Sequence, residues 1–393
     1  MIWLRIALVP EYFHPEVGGG ENWFKNIGSE LARRGHRVVV FAQPRFKAPE
    51  DEIIDGISVK RVGIPVLGRR DPYLRSAFSL VFHLLSDPIH ASRYDVVVGQ
   101  GSALTGRLPV LWAKHIPTIC VIHDIYGLHG SIQNKGYVKG ILRHLALEKI
   151  LPRLPITQWV AVSETTRRKL KFLGISARRI GVVRNGVTWS ESQHLRQKER
   201  SSITYLGRLV RHKHPEDFIQ AVSHVEPGLP WVANVAGEGE LLGDLRELTY
   251  RLGLQSRISF LGRVSDEQKV ELLSSSVCVV LPSLAEGWGT VLTEAAAVGT
   301  PSIAYDIPAI REQAALVPSI LLVKPRDVSG LASRIEHLLR SPEYVKQLSE
   351  AGRIAVRGLT WKASADQFEK LLSEMLFREG LLVRVSPQHR NIA

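Results

Sequence analysis

Residues 277–305, VCVVLPSLAEGWGTVLTEAAAVGTPSIAY, carry the clearest structural signal in the chain. An apolar run ends at Pro282, a glycine-containing loop follows, and a segment of small residues with helical character leads into a second apolar run. Short buried strands separated by a helix are typical of a parallel sheet that is covered on both faces. This stretch therefore predicts one strand–helix–strand unit of an α/β protein.

The same alternation extends in both directions from this unit. Thirteen apolar runs have the character of buried strands: RIALVP, HRVVVFA, GISVKRV, YDVVVGQ, PTICVIHD, QWVAVS, RIGVVRN, SITYLG, WVANVAG, RISFLG, VCVVLP, TPSIAY and SILLV. A polar stretch without apolar periodicity separates the seventh run from the eighth and predicts an exposed linker. The pattern thus predicts two doubly wound parallel sheets in two domains, with a cleft between them.

Composition and charge narrow the class of partner. The 393 residues are 45% hydrophobic and 23% charged, which suits two or three globular domains. Residues 1–190 hold 27 Lys and Arg against 14 Asp and Glu, so the whole net charge of +13 lies in this half. Such asymmetry predicts that this half faces something anionic, namely phosphates, a nucleic acid or membrane headgroups.

The two cysteines and the hydropathy pattern predict where in the cell the protein is located. Cys120 and Cys278 lie in apolar runs far apart in sequence, so we expect a reducing, cytoplasmic compartment and no disulfide. The first ten residues are apolar but contain Arg5, which favours a buried strand over a signal peptide. No stretch approaches the ~18 apolar residues of a membrane-spanning helix, so the sequence predicts a soluble or peripheral protein.

Ligands of open parallel sheets bind beyond the carboxyl ends of the strands, which directs attention to the loops there. After the first run, Gly18, Gly19 and Gly20 lead into a helix, where a close backbone approach and helix-start N–H groups favour an anion. A dinucleotide fingerprint would need a third glycine where Trp23 stands, so a nicotinamide dehydrogenase is disfavoured. A flexible connection without a ligand is the alternative.

Further candidate residues follow other predicted strands. His123 and Asp124 end a very apolar run, at a position facing the predicted cleft. Arg208 and Lys213 flank a loop that opens a helix, where two cations can hold a diphosphate. The alternatives are a structural histidine and two solvated basic side chains.

Glu286 and Glu294 flank the start of the small-residue helix. If the segment is helical throughout, eight residues separate them by at most about 12 Å. They are therefore too far apart for the ~5–5.5 Å carboxylate pair of a retaining glycosidase, but they could grip two ends of an elongated polyol. A capped helix with an exposed acidic residue is the alternative.

The chain has no P-loop and no D-x-D, so we expect no metal ion and no cofactor.

Several motifs in order resemble a known family. The E-x7-E element from Glu286 to Glu294 within EGWGTVLTEAAAVGTPSIA, together with VGGGE, VIHD, AVSE, GRLVRHK, VAGEGE and FLGRVSDEQ, resembles the retaining glycosyltransferases of family 4, which have the GT-B fold. The resemblance covers most of the chain. It departs from the usual pattern at Trp288, where Phe is common, at His214, where Gly is usual, and at Thr188, where Asp is usual.

The resemblance implies a domain arrangement and a division of labour. It implies an acceptor-side Rossmann-like domain over 1–188, a linker over 189–201, a nucleotide-sugar donor domain over 202–358, and a segment over 359–393 whose helix crosses back to the first domain. Members typically work without a metal ion. The donor would be a UDP-, GDP- or ADP-sugar.

The resemblance also implies roles for individual residues. Arg208 and Lys213 would hold the donor diphosphate, Glu294 the ribose hydroxyls and Glu286 the transferred hexosyl group, with His123 near the reacting carbon. The remaining donor-binding positions would contribute mainly backbone: Gly19, Gly20, Gly287, Trp288, Gly289, Thr290 and Val291. No carboxylate is placed to form a covalent intermediate, so we expect front-face attack by an acceptor hydroxyl with retention of configuration.

The acceptor is less closely defined. Three basic amphipathic segments in the first half, at 69–85, 139–154 and 165–174, could lie on an anionic membrane, which suits a glycan or a lipid-linked or phosphorylated acceptor. Packed helices with solvated basic faces are the alternative. Two other functions remain open: a GT-B-like protein that binds donor without turnover, and a nucleic-acid-binding protein, although the basic stretches lack interleaved stacking aromatics.

Overall fold

The computed structural model describes residues 3–10, 12–14, 18–43, 48–62, 93–101, 116–127, 140–141, 144–145, 153–188 and 202–381. These residues form two α/β units, each built on its own sheet, so the predicted fold class is confirmed. The predicted linker at 189–201 and the tail from residue 382 onward lie outside the described residues, as do most of the basic segments at 69–85 and 139–154.

The first unit contains an eight-stranded sheet in the order β3-β4-β2-β1-β5-β6-β7-β8. Its elements are β1 (Arg5–Val9), α1 (Gly19–Arg33), β2 (Arg37–Ala42), β3 (Asp51–Ile54), β4 (Ile57–Arg61), β5 (Val96–Gln100), β6 (Thr118–Ile122), β7 (Gln158–Ala161), α2 (Glu164–Phe172) and β8 (Ile180–Val182). Every residue of β5 and β6 is buried, as expected for central strands of a sheet that is covered on both faces.

One edge of this sheet corrects the prediction of a wholly parallel arrangement. β3 pairs antiparallel with β4 through a two-residue turn at Asp55 and Gly56, whose φ angles are 49° and 84°. Such angles suit the tight turn of a hairpin, where Asp-Gly is a favoured pair. β3 escaped notice because its residues DEII alternate between exposed and half-buried, so they form no apolar run.

The second unit contains a six-stranded sheet in the order β11-β10-β9-β12-β13-β14, and all its neighbouring pairs are parallel. Its elements are β9 (Ser202–Leu206), α3 (Pro215–Ser223), β10 (Val232–Ala236), α4 (Leu242–Arg251), β11 (Ile258–Gly262), α5 (Asp266–Ser275), β12 (Cys278–Leu281), α6 (Thr290–Ala297), β13 (Ser302–Tyr305), α7 (Pro308–Ala314), β14 (Ile320–Val323), α8 (Val328–Arg340) and α9 (Pro342–Val356). All six predicted strands are present.

The chain returns to the first unit beside the point where it leaves. The Val187 N–H donates to the Leu359 carbonyl at 2.8 Å, and the last helix, α10 (Trp361–Arg378), follows directly. α10 packs against α1, where Arg34 Nη1 lies 2.7 Å from Glu369 Oε2. At the other end of the helix, Arg378 Nη2 donates to Gln158 Oε1 at 2.6 Å. The helix therefore belongs to the layer that covers the first sheet.

The structure also bears on the expectations from hydropathy and cysteine content. Among the described residues, no helix combines the length and apolarity needed to cross a membrane. Cys120 and Cys278 are buried in strands of different sheets, so they form no disulfide with each other.

Candidate functional site

Two helix N-termini from different units meet where the strands of both sheets end. α1 begins after β1, and α6 begins after β12; a Cβ added to Gly19 would lie only 3.9 Å from Thr290 Oγ1. Gly18 and Gly289 are the N-cap residues, so neither cap has a side chain that could accept from the first-turn N–H groups. Because such groups carry partial positive charge, their convergence favours an anion.

A second contact between the units leaves no room for a side chain. A Cβ on Gly287 would lie 1.6 Å from the main-chain oxygen of His123, so the loop after β12 touches the end of β6 directly. The following residue, Trp288, is buried, and the Arg184 guanidinium carbon lies 5.9 Å from the centre of its ring. Asn185 Nδ2 adds a hydrogen bond of 3.2 Å to Thr290 Oγ1 across the same junction.

Lys213 and Glu286 form an ion pair in the second unit, at the edge of the cleft. Lys213 ends a short 3-10 turn after β9, and the Leu284 N–H donates to the His212 carbonyl at 3.0 Å, which ties this turn to the loop carrying Glu286. The two side chains are 16% and 9% exposed, so their charges are poorly screened by water. The side chain of Arg208 is exposed, and it makes no ion pair among the described residues.

Glu294 has a different basic partner. Lys269 Nζ, from α5, lies 2.8 Å from Glu294 Oε1 and 2.9 Å from Asp266 Oδ1. Burial raises the pKa of Glu294, and the Lys269 ammonium opposes that rise. Burial alone would lower the pKa of Lys269, but the two carboxylates outweigh it and raise that pKa. Each of the two glutamates therefore has its own lysine partner: Glu286 pairs with Lys213, and Glu294 pairs with Lys269.

His123 lies between the two units with an unsatisfied ring nitrogen. Its Nε2 is buried and has no hydrogen-bond partner among the described residues, and its ring packs edge-on against Trp23 at 6.2 Å. Burial lowers the pKa of His123 to about 4. The imidazole is therefore neutral at neutral pH and can offer a hydrogen bond but not a positive charge. A Cβ on Gly20 would lie 3.5 Å from its Cδ2.

A carboxylate that the sequence interpretation did not include also joins the two units. Glu312 on α7 accepts hydrogen bonds from the backbone N–H groups of Glu164 and Thr165, at 2.9 and 2.8 Å, and from Thr165 Oγ1 at 3.0 Å. Arg184 Nη2 lies 3.4 Å away. A carboxylate of the second unit thus accepts hydrogen bonds from the N–H groups at the start of helix α2 in the first unit, a position where an anion is favoured.

One group of possible metal ligands occurs among the described residues. Donor atoms of His214, Glu216 and Asp217 lie within 4.8 Å of one another. Arg326 Nη2 lies 3.3 Å from His214 Nε2, and the Tyr305 hydroxyl donates to Asp217 Oδ2 at 2.8 Å. A cation and a hydroxyl already engage this group, so the arrangement suits a hydrogen-bonded support behind Lys213 better than a metal site.

The backbone conformation at position 214 is strained for any residue other than glycine. His214 has φ 46° and ψ 50°, in the left-handed region that favours glycine. A histidine there costs about 1 kcal/mol or more of backbone strain. The surrounding contacts with Glu216 and Arg326 hold it in place.

The structure places the sequence-derived candidates in two groups. Around the junction of the units lie Gly19, Gly20, His123 and residues 286–291, with Lys213 bound to Glu286. Glu294 lies within α6 against Lys269, and Arg208 lies exposed after β9. The sequence interpretation missed Lys269, Glu312 and Asn185. The contacts of these three residues cannot be derived from local sequence, because their partners are 25, 147 and 105 residues away.

Comparison with known proteins covers both units. The family model described as Glycosyltransferase Family 4 matches residues 17–190, and the one described as Glycosyl transferases group 1 matches residues 188–355. The phosphatidyl-myo-inositol mannosyltransferase of Mycobacterium leprae is 27% identical over 98% of this chain and 100% of its own length.

Solved structures show the same architecture. Sucrose-phosphate synthase from Thermosynechococcus elongatus aligns with a TM-score of 0.81 and 19% identity, covering 95% of this chain and 100% of that one. HepE of Anabaena, solved with UDP-glucose, aligns with a TM-score of 0.73 and 19% identity, covering 94% and 100%. The two units therefore form the GT-B fold. With both family models matched in order along it, the chain belongs to the glycosyltransferases of family 4.

Proposed function

We propose that this glycosyltransferase moves a hexosyl group from a nucleotide-diphosphate sugar to a hydroxyl acceptor, with retention of configuration and without a metal ion. The observation that carries the proposal is the meeting of two glycine-capped helix N-termini beside the Lys213–Glu286 pair. The Anabaena structure with UDP-glucose supports a nucleotide-sugar donor, and UDP, GDP and ADP are the candidate nucleotides.

The donor diphosphate would lie between the first turns of α1 and α6. Each helix start contributes about 0.3–1 kcal/mol toward an anion at its surface and more in a partly buried setting. Lys213 would supply a point charge, Arg208 a forked pair of hydrogen bonds, and Gly20 a close backbone approach. Together these groups would stabilise the leaving diphosphate, the task that a metal ion performs in many phosphate sites.

The sugar would lie beside Glu286, and the ribose beside Glu294. Lys213 holds Glu286 in place, so this carboxylate would accept hydrogen bonds from sugar hydroxyls and not attack the sugar carbon. In the reaction the bond from the sugar carbon to the phosphate oxygen breaks, and a bond to the acceptor oxygen forms on the same face. The acceptor proton passes to the departing phosphate oxygen. Neutral His123 would hydrogen-bond near the reacting carbon without repelling the positive charge that develops there.

A thermal-shift screen tests the donor assignment. We expect one class among UDP-, GDP- and ADP-sugars to raise the melting temperature, because a ligand at about 100 times its Kd stabilises the native state by about 2.7 kcal/mol. The same rise is expected in excess EDTA. Absence of a shift with every sugar nucleotide, or a shift that requires added Mg²⁺, would contradict the proposal. Release of sugar or transfer product from the same donor separates an enzyme from a binding protein that lacks turnover.

We also propose that the outer end of α2 contacts an anionic membrane on the cytoplasmic face. Phe172 is 91% exposed there, and Arg168, Lys171 and Arg178, which are near it in sequence, are exposed as well. An exposed aromatic ring among basic side chains suits a headgroup layer, where each basic residue contributes about 1 kcal/mol. Such contact would suit a lipid-linked acceptor.

Liposome flotation tests the membrane proposal. We expect binding to vesicles with 30% phosphatidylserine at low salt, loss of most binding at 0.5 M NaCl, and a severalfold reduction in the variant Phe172→Ser/Lys171→Glu. A matched control, Tyr250→Ser/Lys346→Glu, changes an exposed aromatic and an exposed lysine of the second unit and should bind normally. Equal binding by both double variants would show that α2 is not the contact.

A further inference from the structure

The ion pair between Lys269 and Glu294 lies on the side of the second unit that faces the first. Lys269 is on α5 and Glu294 is on α6, and each helix follows a strand, so both helices start at the carboxyl edge of the sheet. Lys269 holds the pKa of Asp266 below its usual range, and Lys25 and His14 of the first unit add to that effect. The Lys269 and Glu294 side chains are 18% and 20% exposed, so both remain partly accessible to a ligand.

Glu294 has spare capacity to accept a hydrogen bond. Its Oε1 accepts from Lys269 Nζ at 2.8 Å, whereas its Oε2 makes no hydrogen bond to the described residues. The charged groups that act on this carboxylate are Lys269 and Asp266, both on α5. The elements α9, β12 and β13 also pack against α6, but their described residues form no ion pair with Glu294. An ionised carboxylate oxygen of this kind suits a ligand hydroxyl.

Lys269 has a matching spare donor. Its Nζ lies 2.8 Å from Glu294 Oε1 and 2.9 Å from Asp266 Oδ1, and an ammonium carries three N–H donors. The third N–H has no acceptor in the described part of the chain. One N–H donor and one carboxylate oxygen are therefore available side by side. Two adjacent hydroxyls of a ligand ring can use both, one as an acceptor and the other as a donor.

Lys269 also controls the charge of the carboxylate. Burial raises the pKa of Glu294, so without a cation beside it this group would take up a proton more readily. The ammonium at 2.8 Å favours the ionised form. A protonated carboxyl carries a donor on one oxygen, whereas the ionised group only accepts. Loss of Lys269 would therefore weaken the acceptor at Glu294 as well as remove the neighbouring donor.

We propose that Lys269 is a specificity-determining residue of the donor pocket, which recognises the two ribose hydroxyls together with Glu294. Lys269 donates to one ribose oxygen, and Glu294 Oε2 accepts from the neighbouring hydroxyl. The pair thereby selects ribonucleotides over 2′-deoxyribonucleotides. This role rests on the proposed function, which assigns Glu294 to the ribose, and it adds a basic residue that the sequence interpretation did not include.

Calorimetric titration with UDP, GDP and ADP and with their 2′-deoxy analogues tests the role of Lys269. Wild type should bind its preferred ribonucleotide about tenfold or more tightly than the 2′-deoxy analogue. In Lys269→Met the ribonucleotide should bind about 10- to 100-fold more weakly, the range for a lost hydrogen bond to a charged group, and the 2′-deoxy analogue should lose less. Lys269→Arg keeps the charge and should restore much of the preference.

A pH series gives a result that a purely structural role would not produce. In Lys269→Met, Glu294 should bind a proton more readily, so the variant should be weakest at low pH. The ratio of variant to wild-type Kd should therefore fall as the pH rises from about 6 to about 9. Ionisation of the nucleotide phosphate is common to both proteins and cancels in this ratio. Lys269→Met/Glu294→Gln lacks the titrating group, so its ratio should not change with pH.

A matched control and the donor titration itself separate the possible failures. Lys346→Met changes an exposed lysine of α9 and should bind nucleotides like wild type. Wild-type protein that binds no nucleotide overturns the proposed donor function. With binding intact, an unchanged preference for the ribonucleotide in Lys269→Met, or a Kd ratio that stays constant with pH, overturns the role of Lys269. If Lys269→Met does not fold, the double variant leaves Glu294 uncharged and carries the same comparison of nucleotides.

Discussion

Replacing Lys213 with methionine should lower the transfer rate by about a thousandfold, mostly in kcat. Lys213 is the cation assigned to the diphosphate in the proposed donor site and is the partner of Glu286, and both charges are largely shielded from water. Removing one preorganised group that stabilises developing negative charge costs about 10²–10³ in rate, and misplacing Glu286 adds to that loss. Single-turnover measurement at saturating donor would report the chemical step separately from binding.

The ion pair also allows a structural role to be told apart from a catalytic one. Lys213→Met leaves the Glu286 carboxylate largely buried without its partner, so the melting temperature should fall as well. The double variant Lys213→Met/Glu286→Gln removes both charges and should recover most of the lost stability, while activity stays at the level of the single variant. If activity returned together with stability, Lys213 would be a support for the loop and not a participant in transfer.

Local sequence patterns predicted the elements of this fold but not the contacts between its units. Most of the parallel strands are apolar runs, because both faces of their sheets are covered, and so they can be recognised without their neighbours. β3 could not be recognised in this way, because an edge strand with half-exposed residues has no apolar run. The same limit applies to Glu312, which lies on a short helix of the second unit and hydrogen-bonds the start of α2.

For the candidate site too, the sequence predicted some residues but not the contacts that they make. The glycine-rich loop and the first part of the E-x7-E element point to residues that lie at the junction of the units, because both follow strands at the carboxyl edge of a sheet. The partner of each glutamate depends on how neighbouring strands are arranged in space. Lys269 reaches Glu294 only because α5 and α6 lie side by side, and no spacing along the chain encodes that.

Replacing Gly287 with alanine should lower the transfer activity by at least a hundredfold while leaving both units folded. The added Cβ would lie 1.6 Å from the main-chain oxygen of His123, and that oxygen cannot move aside without displacing the end of β6. The backbone angles at Gly287 do not require glycine, so the substitution adds no strain within its own loop. The two units must therefore separate locally, which would carry α6 and Glu286 away from α1 and His123.

We expect a fall of at least a hundredfold in kcat/KM for Gly287→Ala, because a misplacement of about 1 Å between reacting groups costs about that much. The melting temperature should change by only a few degrees, and small-angle scattering with bound donor should show a more open particle than wild type. Gly243→Ala is the matched control: a Cβ there meets nothing within 4 Å, and alanine should stabilise helix α4 by up to about 1 kcal/mol. Full activity of Gly287→Ala would mean that catalysis does not need the contact between the loop after β12 and the end of β6. The diphosphate would then be held by the second unit alone, and the convergence of α1 and α6 would have no part in transfer.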